Sequence, residues 1–331
     1  MRVRVGQRRQ GIVSAVPDGP PPGERLSGHT DRSGTTIHGW SAVLFGVPFA
    51  TAGATVGTLV TLGKMRSSPP WLGVMLGALF AAAGLSLAMH GLVGVVRASR
   101  AARGRAANPR EPWSWDHAWN PMGAVDDTKR QIRRTLSASL ALALLLVPFN
   151  WVSFAAADAP RGFAVVTGLF DLLVLGLLVR AGYLVARRQK YGVSMLRFRR
   201  FPFVPGDEVE LMLARSGPLA SLEVLEATLR CVQERYEVRR TGSKSSSQVV
   251  SYAVWSETRG SEPGDGRRST ERDFAWRFAL PPDLPGTSLA ERPPRYWELE
   301  VRAEMPGVDY RKVFLVPVYE DGRERRTRRV G

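Results

Sequence analysis

Four long apolar runs, at about residues 40–63, 71–96, 135–157 and 162–186, occupy the first part of the chain. The last is the most continuous, reading GFAVVTGLFDLLVLGLLVRAGYLVA and ending in Arg187, Arg188 and Lys190. Each is long enough to cross a hydrocarbon core of about 30 Å as a helix. Beyond residue 191 the period changes to two. In the stretch 296–305, YWELEVRAEM, Trp297, Leu299, Val301, Ala303 and Met305 alternate with Glu298, Glu300, Arg302 and Glu304, the pattern of a half-buried strand. The stretch 272–280 alternates too, with Phe274, Trp276, Phe278 and Leu280 inward. Five more strands are predicted near 192–200, 207–215, 227–239, 248–258 and 310–319, separated by PGD, TGSKSSS, EPGDG, PPDLPG and PG turns. Seven strands in about 130 residues fit an immunoglobulin-like or arrestin-like sandwich. The predicted fold is an α+β membrane protein, a four-helix transmembrane bundle followed by an antiparallel β-sandwich.

Small residues mark the first two runs: Gly46, Ala50, Gly53 and Gly57 in one, Gly73, Gly77, Ala81, Gly84 and Ala88 in the other. Steps of three and four put each set on one helical stripe, where two helices approach closely in lipid. With only residues 64–70 between them, the pair is predicted to be an antiparallel hairpin. Residues 1–36, rich in Arg, Gly, Pro and Ser, have no repeating apolar face and read as a disordered tail. The domain boundaries follow: a tail over 1–36, a transmembrane domain over 37–190 with a polar connection at 97–134, a β-sandwich over 191–320, and a basic tail over 321–331.

Charge adds orientation. The formal net charge is +16 and the isoelectric point near 10.9, yet residues 1–190 carry +13, residues 191–320 are neutral, and the last eleven carry +3. The excess therefore sits beside the apolar runs rather than on a stripe interleaved with aromatics, which speaks against a nucleic-acid partner. Six Lys/Arg in the tail and nine in 97–134, against two and one in the short connections, predict four spans with both termini in the cytoplasm of a cell inner membrane. The lone Cys231 permits no internal disulfide and reads as a small core residue.

Candidate chemistry is sparse. Asp171 falls near the midplane of the fourth span, and folding the hairpin back brings Asn150 to a similar depth. A carboxyl group there needs a partner; the two readings are a working acid or a hydrogen bond to Asn150. Arg180, on the opposite helical face from Asp171, is expected at the cytoplasmic interface, as is His90. Trp113, Trp115 and Trp119, in EPWSWDHAWNP, are either interfacial anchors or a docking surface for the sandwich. With no flexible linker after the fourth span, this loop is expected to pack between headgroups and sandwich and to bury at least one of the three. Of the four histidines, His29, His38, His90 and His117, no two have metal-ligand spacing, and no nucleotide-binding loop or nucleophile elbow occurs. No catalytic, metal or cofactor site is predicted. Asp116 beside His117 reads as a lone pair, and the stretch RRTGSKSSS at 239–247 as a solvated hairpin tip.

Two stretches together resemble a known family. EPWSWDHAWN is similar to a PWLWR-then-DWA signature between a second and third span, with Ser114 and Asp116 in place of Leu and Arg. The run FALPPDLPGTSLAERPPRYWELEVRAEMPGVDYRKVFLVPVY, and LRCVQERYE before a polar loop and AVWSE, resemble the same group. This is an uncharacterised bacterial family of four-span membrane proteins with a domain of unknown function after the last span. The resemblance implies architecture and localisation and carries no activity. The expected function is a non-enzymatic, membrane-anchored binding or scaffold protein that takes a protein partner through its sandwich. The alternative is transport of a small molecule, proton or lipid by the four-span bundle, using Asp171. The bilayer is a partner in both, and the pattern sets no oligomeric state.

Overall fold

The computed structural model describes residues 23–27, 29, 32, 39–67, 69–155, 161–214, 217–222, 224–241, 244–263 and 273–320. It is an α+β chain, with four apolar helices in the N-terminal half and antiparallel sheets after them. Helices α1 (Gly39–Thr61) and α2 (Pro70–Ala107) form an antiparallel hairpin. A methyl carbon placed on Gly53 would fall 2.3 Å from the Ala81 nitrogen, and one on Gly84 would fall 2.3 Å from the Ala50 nitrogen. The two backbones touch along the small-residue stripe, which only residues without a Cβ allow. Between α2 and the third long helix come α3 (Trp113–Asp116) and strand β2 (Gly123–Val125), so the segment 97–134 is largely structured. At 38 residues α2 is about 57 Å long, well past the apolar run 71–96.

Helices α4 (Thr128–Ala155) and α5 (Arg161–Tyr191) form a second hairpin. All four helices are long and apolar enough to cross a membrane. The hairpins meet over a short stretch of α2 and α4, where Trp71 packs edge-on against Trp151 with ring centres 5.1 Å apart. The helical half is thus two hairpins side by side, and the expected four-helix bundle is not closed around a shared core. Many large apolar side chains, among them Phe45, Leu85, Leu140, Leu169 and Leu172, face outward.

The remaining strands are β1 (Glu24–Arg25), β3 (Met195–Phe198), β4 (Glu208–Leu213), β5 (Glu226–Thr241), β6 (Lys244–Gly260), β7 (Glu262–Pro263), β8 (Phe274–Ala279), β9 (Arg295–Ala303) and β10 (Tyr310–Val316). They form two antiparallel sheets, in the orders β1-β6-β5-β9-β10 and β2-β3-β4-β8-β7. One core lies between them, filled by Leu211, Trp276 and Phe278 from one sheet and Leu229, Cys231, Trp297 and Phe314 from the other. Every predicted strand is present, and three short ones are added: β1, β2 and β7. Two of these come from outside 191–320, so the sheets draw on the tail and on the connection between the hairpins.

Strand β9 departs from the expected half-burial. Trp297, Leu299 and Val301 face the core, but Glu298 and Glu300 on the other face are only 1% and 2% exposed. The reason is position: β9 lies between β5 and β10, whose Arg230 and Arg311 reach across to cover both carboxylates. Cys231 is a buried free cysteine whose thiol is pushed up to about 12 by burial, the state of an inert core residue.

Candidate functional site

Within the second hairpin, Asn150 Nδ2 donates to Asp171 Oδ1 at 2.9 Å, and Ser153 and Thr167 share a hydrogen bond of 2.9 Å one turn away. The structure thus brings Asn150 and Asp171 together, as the hairpin geometry predicts. Arg180 stays apart, exposed about three turns before the end of α5. The pair joins α4 to α5.

The seam between helices and sheets is a buried polar cluster. Asp126 Oδ1 accepts from the Thr128 N–H at the start of α4, and Oδ2 accepts from the Ser194 N–H just before β3, both at 2.9 Å. Lys312 on β10, 1% exposed, lies 3.2 Å from Asp126 and donates to Thr128 Oγ1 and the Gly192 carbonyl. Burial alone would raise the Asp126 carboxyl, but the bonds from Thr128 and Ser194 and the Lys312 charge outweigh it and hold it below the usual carboxylate value. Burial lowers Lys312, and Asp126 offsets part of that. At the end of α5, Lys190 donates to the Pro306 and Val308 carbonyls, and the Tyr191 hydroxyl also donates to Val308. The fourth long helix therefore enters the sheets without slack.

The Trp segment makes a second junction. Trp119 Nε1 donates to the Tyr319 hydroxyl at 2.8 Å, and that hydroxyl donates to Asp116 Oδ2 at 2.8 Å. The Asp116 carboxylate also accepts from the Leu289 and Ala290 N–H groups at 2.9 and 2.6 Å. Trp113 packs edge-on to Tyr319. Trp115 turns the other way, against Gly104 and Arg105 of α2, with Nε1 donating to the Asn108 carbonyl. All three tryptophans are half-buried. Two backbone N–H groups and a phenol converge on the Asp116 carboxylate, and Trp113 and Trp119 both pack edge-on against Tyr319. Asp116 is thus a clamp rather than a lone acid. His117 packs edge-on against Trp119, with ring centres 4.8 Å apart.

A third feature lies on the outer face of the first sheet. His29 Nε2 is 3.0 Å from the Tyr296 hydroxyl, and Nδ1 is 3.7 Å from Glu298 Oε1. The Arg32 N–H donates to Glu234, and its guanidinium lies 4.9 Å over the Tyr296 ring. Part of the stretch read as a disordered tail therefore lies on the sheet. Sequence periodicity had no means of finding it, for two paired residues are too few to show alternation. His38 and residues 242–243 of the RRTGSKSSS stretch lie outside the described residues. Among the described residues no group of three or more His, Cys, Asp or Glu has the arrangement of a metal site.

No family model matches the sequence, and no curated protein matches it. Among solved structures it is similar to the sporulation control protein Spo0M from Bacillus subtilis, at 15% identity and a TM-score of 0.23, over 38% of this chain and 48% of that one. The chain thus spans about half the length of that structure, and a likeness so slight bears on neither fold nor function.

Proposed function

We propose that this chain is a membrane-anchored, non-enzymatic binding protein. Its four long helices span the inner membrane with both termini in the cytoplasm. Its two sheets form a cytoplasmic sandwich, immunoglobulin-like or arrestin-like, that receives a protein partner beside the inner leaflet. The basic ends of α2, α4 and α5 all meet the sheets, through the Arg105–Glu291, Asp126–Lys312 and Lys190–Pro306 contacts, which supports one cytoplasmic side for all three. The observation that carries the binding reading is strand β6. It runs 17 residues, and among the described residues its outer edge is laddered by β1 at Tyr252 and Ala253, with a further bond from the Leu26 N–H to the Ser251 carbonyl. A strand edge of that length, in sheets joined to the helix ends, is a template for an added strand.

The test is crosslinking and capture from cytoplasm with the full chain as bait. The isolated piece 191–320 would lack β1 and β2 and expose two edges the whole chain covers. Recovery of nothing above background would count against the reading. The transport alternative rests on Asp171 and is separated by an Asp171→Asn variant. A transporter loses flux at unchanged abundance, whereas a binding protein keeps its captured partners. Reporter fusions after residues 110 and 331 are expected to read cytoplasmic, and fusions near 67 and 159 external.

A further inference from the structure

The long β6 edge is already partly occupied by this chain. Arg25 and Glu24 pair with Tyr252 and Ala253, and the Leu26 N–H donates to the Ser251 carbonyl at 2.9 Å. The other sheet ends are β2, β7 and β10. β2 and β7 have three and two residues, and the turn into β10 is bonded to the end of α5. Two ladder pairs make a weak strand on their own. What fixes this one lies further along, where His29 and Arg32 reach across the sheet to Tyr296, Glu234 and Glu298.

That receiving pocket is acidic and deep. Glu234 and Glu298 are 0% and 1% exposed. Glu298 Oε1 faces Arg230 Nε at 3.1 Å and His29 Nδ1 at 3.7 Å, so the tail supplies its second nitrogen neighbour. A carboxylate this buried is costly without a donor aimed at it. The pocket therefore suits an N–H-bearing side chain, a neutral His or an Arg, that arrives four to seven residues after a stretch paired with β6, the spacing from Arg25 to His29 and Arg32.

Building on the reading of the sheets as a binding module, we propose that Glu24, Arg25 and Leu26, fixed by His29 and Arg32, are a cis-bound segment masking a peptide-docking edge. The partner is an extended peptide segment that adds antiparallel to β6 and places a His or Arg against Tyr296, Glu234 and Glu298. A tethered occupant has an effective concentration on the order of millimolar, so the edge opens only to a partner that outcompetes the tether or once the tether is released.

The experiment uses the full chain in nanodiscs and a fluorescein-labelled synthetic peptide of residues 22–34, followed by fluorescence anisotropy. The released form is a Leu26→Pro/His29→Ala double variant, with Gly23→Val as a second route. A methyl carbon on Gly23 would fall 1.9 Å from the Ala253 carbonyl oxygen, so a side chain there cannot stay seated. The released forms are expected to bind the peptide at least tenfold more tightly than the parent chain. A peptide with both His29 and Arg32 replaced by Ala is expected to bind them at least tenfold more weakly, and a scrambled peptide of equal charge not to bind. Equal affinity of parent and both released forms overturns the proposal, as does undiminished binding of the peptide lacking His and Arg. If no released form takes the peptide while the full chain still captures a cytoplasmic protein, the edge assignment falls and the binding-protein reading stands. If the peptide binds as expected and capture recovers nothing, the docking edge stands and that reading falls.

Discussion

Along α1 and α2, Gly46, Gly53, Gly77 and Gly84 bring two backbones into contact. Along α5, Gly162, Gly168, Gly176 and Gly182 face nothing within 4 Å, and the Asn150–Asp171 and Ser153–Thr167 bonds join it to α4 instead. The difference shows two solutions to one physical problem. In an apolar surrounding, bringing Leu against Leu gains little, because lipid tails are as apolar as the partner helix. One hairpin gains dispersion by close backbone approach. The other gains polar pairing that lipid cannot supply. The hairpins also differ in their roots. The second is locked into the sheets by the Asp126–Lys312 cluster, whereas the first reaches them through α3 and the exposed Arg105–Glu291 pair.

The largest effect is expected at the root of the second hairpin. Asp126→Ala leaves Lys312 buried without its counter-ion and should cost about 3–5 kcal/mol. Urea unfolding in detergent, read by tryptophan fluorescence, checks it. An Asp126→Leu/Lys312→Met double variant should recover much of the loss. If the single variant unfolds like the parent, the rigid seam is not what holds the second hairpin to the sheets.

Next comes the contrast between glycines. Gly84→Leu must push α1 and α2 apart at a cost of about 1–3 kcal/mol or more, while Gly168→Leu should stay within about 0.5 kcal/mol. Thermal stability by size-exclusion chromatography separates them, and equal losses would erase the distinction between the hairpins. Breaking the polar clasp is milder. Asn150→Leu should cost about 0.6 kcal/mol and at most about 1.7, seen as easier crosslinker access between α4 and α5.

The smallest effect concerns His29. Burial lowers its pKa from the usual 6.5; Glu298 and Glu234 raise it, Arg230 and Arg32 lower it, and the Tyr296 hydroxyl faces it. The docked segment thus prefers neutral His29 while the free segment takes up a proton below about pH 6.5. Docking is full above that value and weakens as pH falls through it toward the lowered one. Hydrogen exchange of the Leu26 amide should quicken between pH 7.5 and 5.5, and His29→Gln should remove the dependence.

Much of this architecture was legible in residue order. Apolar length marked the four helices, small residues at steps of three and four marked the first hairpin, alternation marked β8 and β9, and turn signals separated the other predicted strands. These signals are local, since each reports how a residue sits on its own element. Hairpin closure over a short connection likewise brought Asn150 and Asp171 to one depth. What tertiary structure alone decided are contacts between distant elements. Asp116 reads as half of a lone pair with His117, and nothing in the pattern marks Asp126, but one clamps Tyr319 and the other pairs with Lys312, whose second partner Thr128 is 184 positions away in the chain. Glu298 and Glu300 alternate as a solvent face would and are buried, because Arg230 and Arg311 cover them from neighbouring strands. Periodicity separates one face of a strand from the other. Whether a face meets water depends on what packs over it, and that is set by how the whole chain closes.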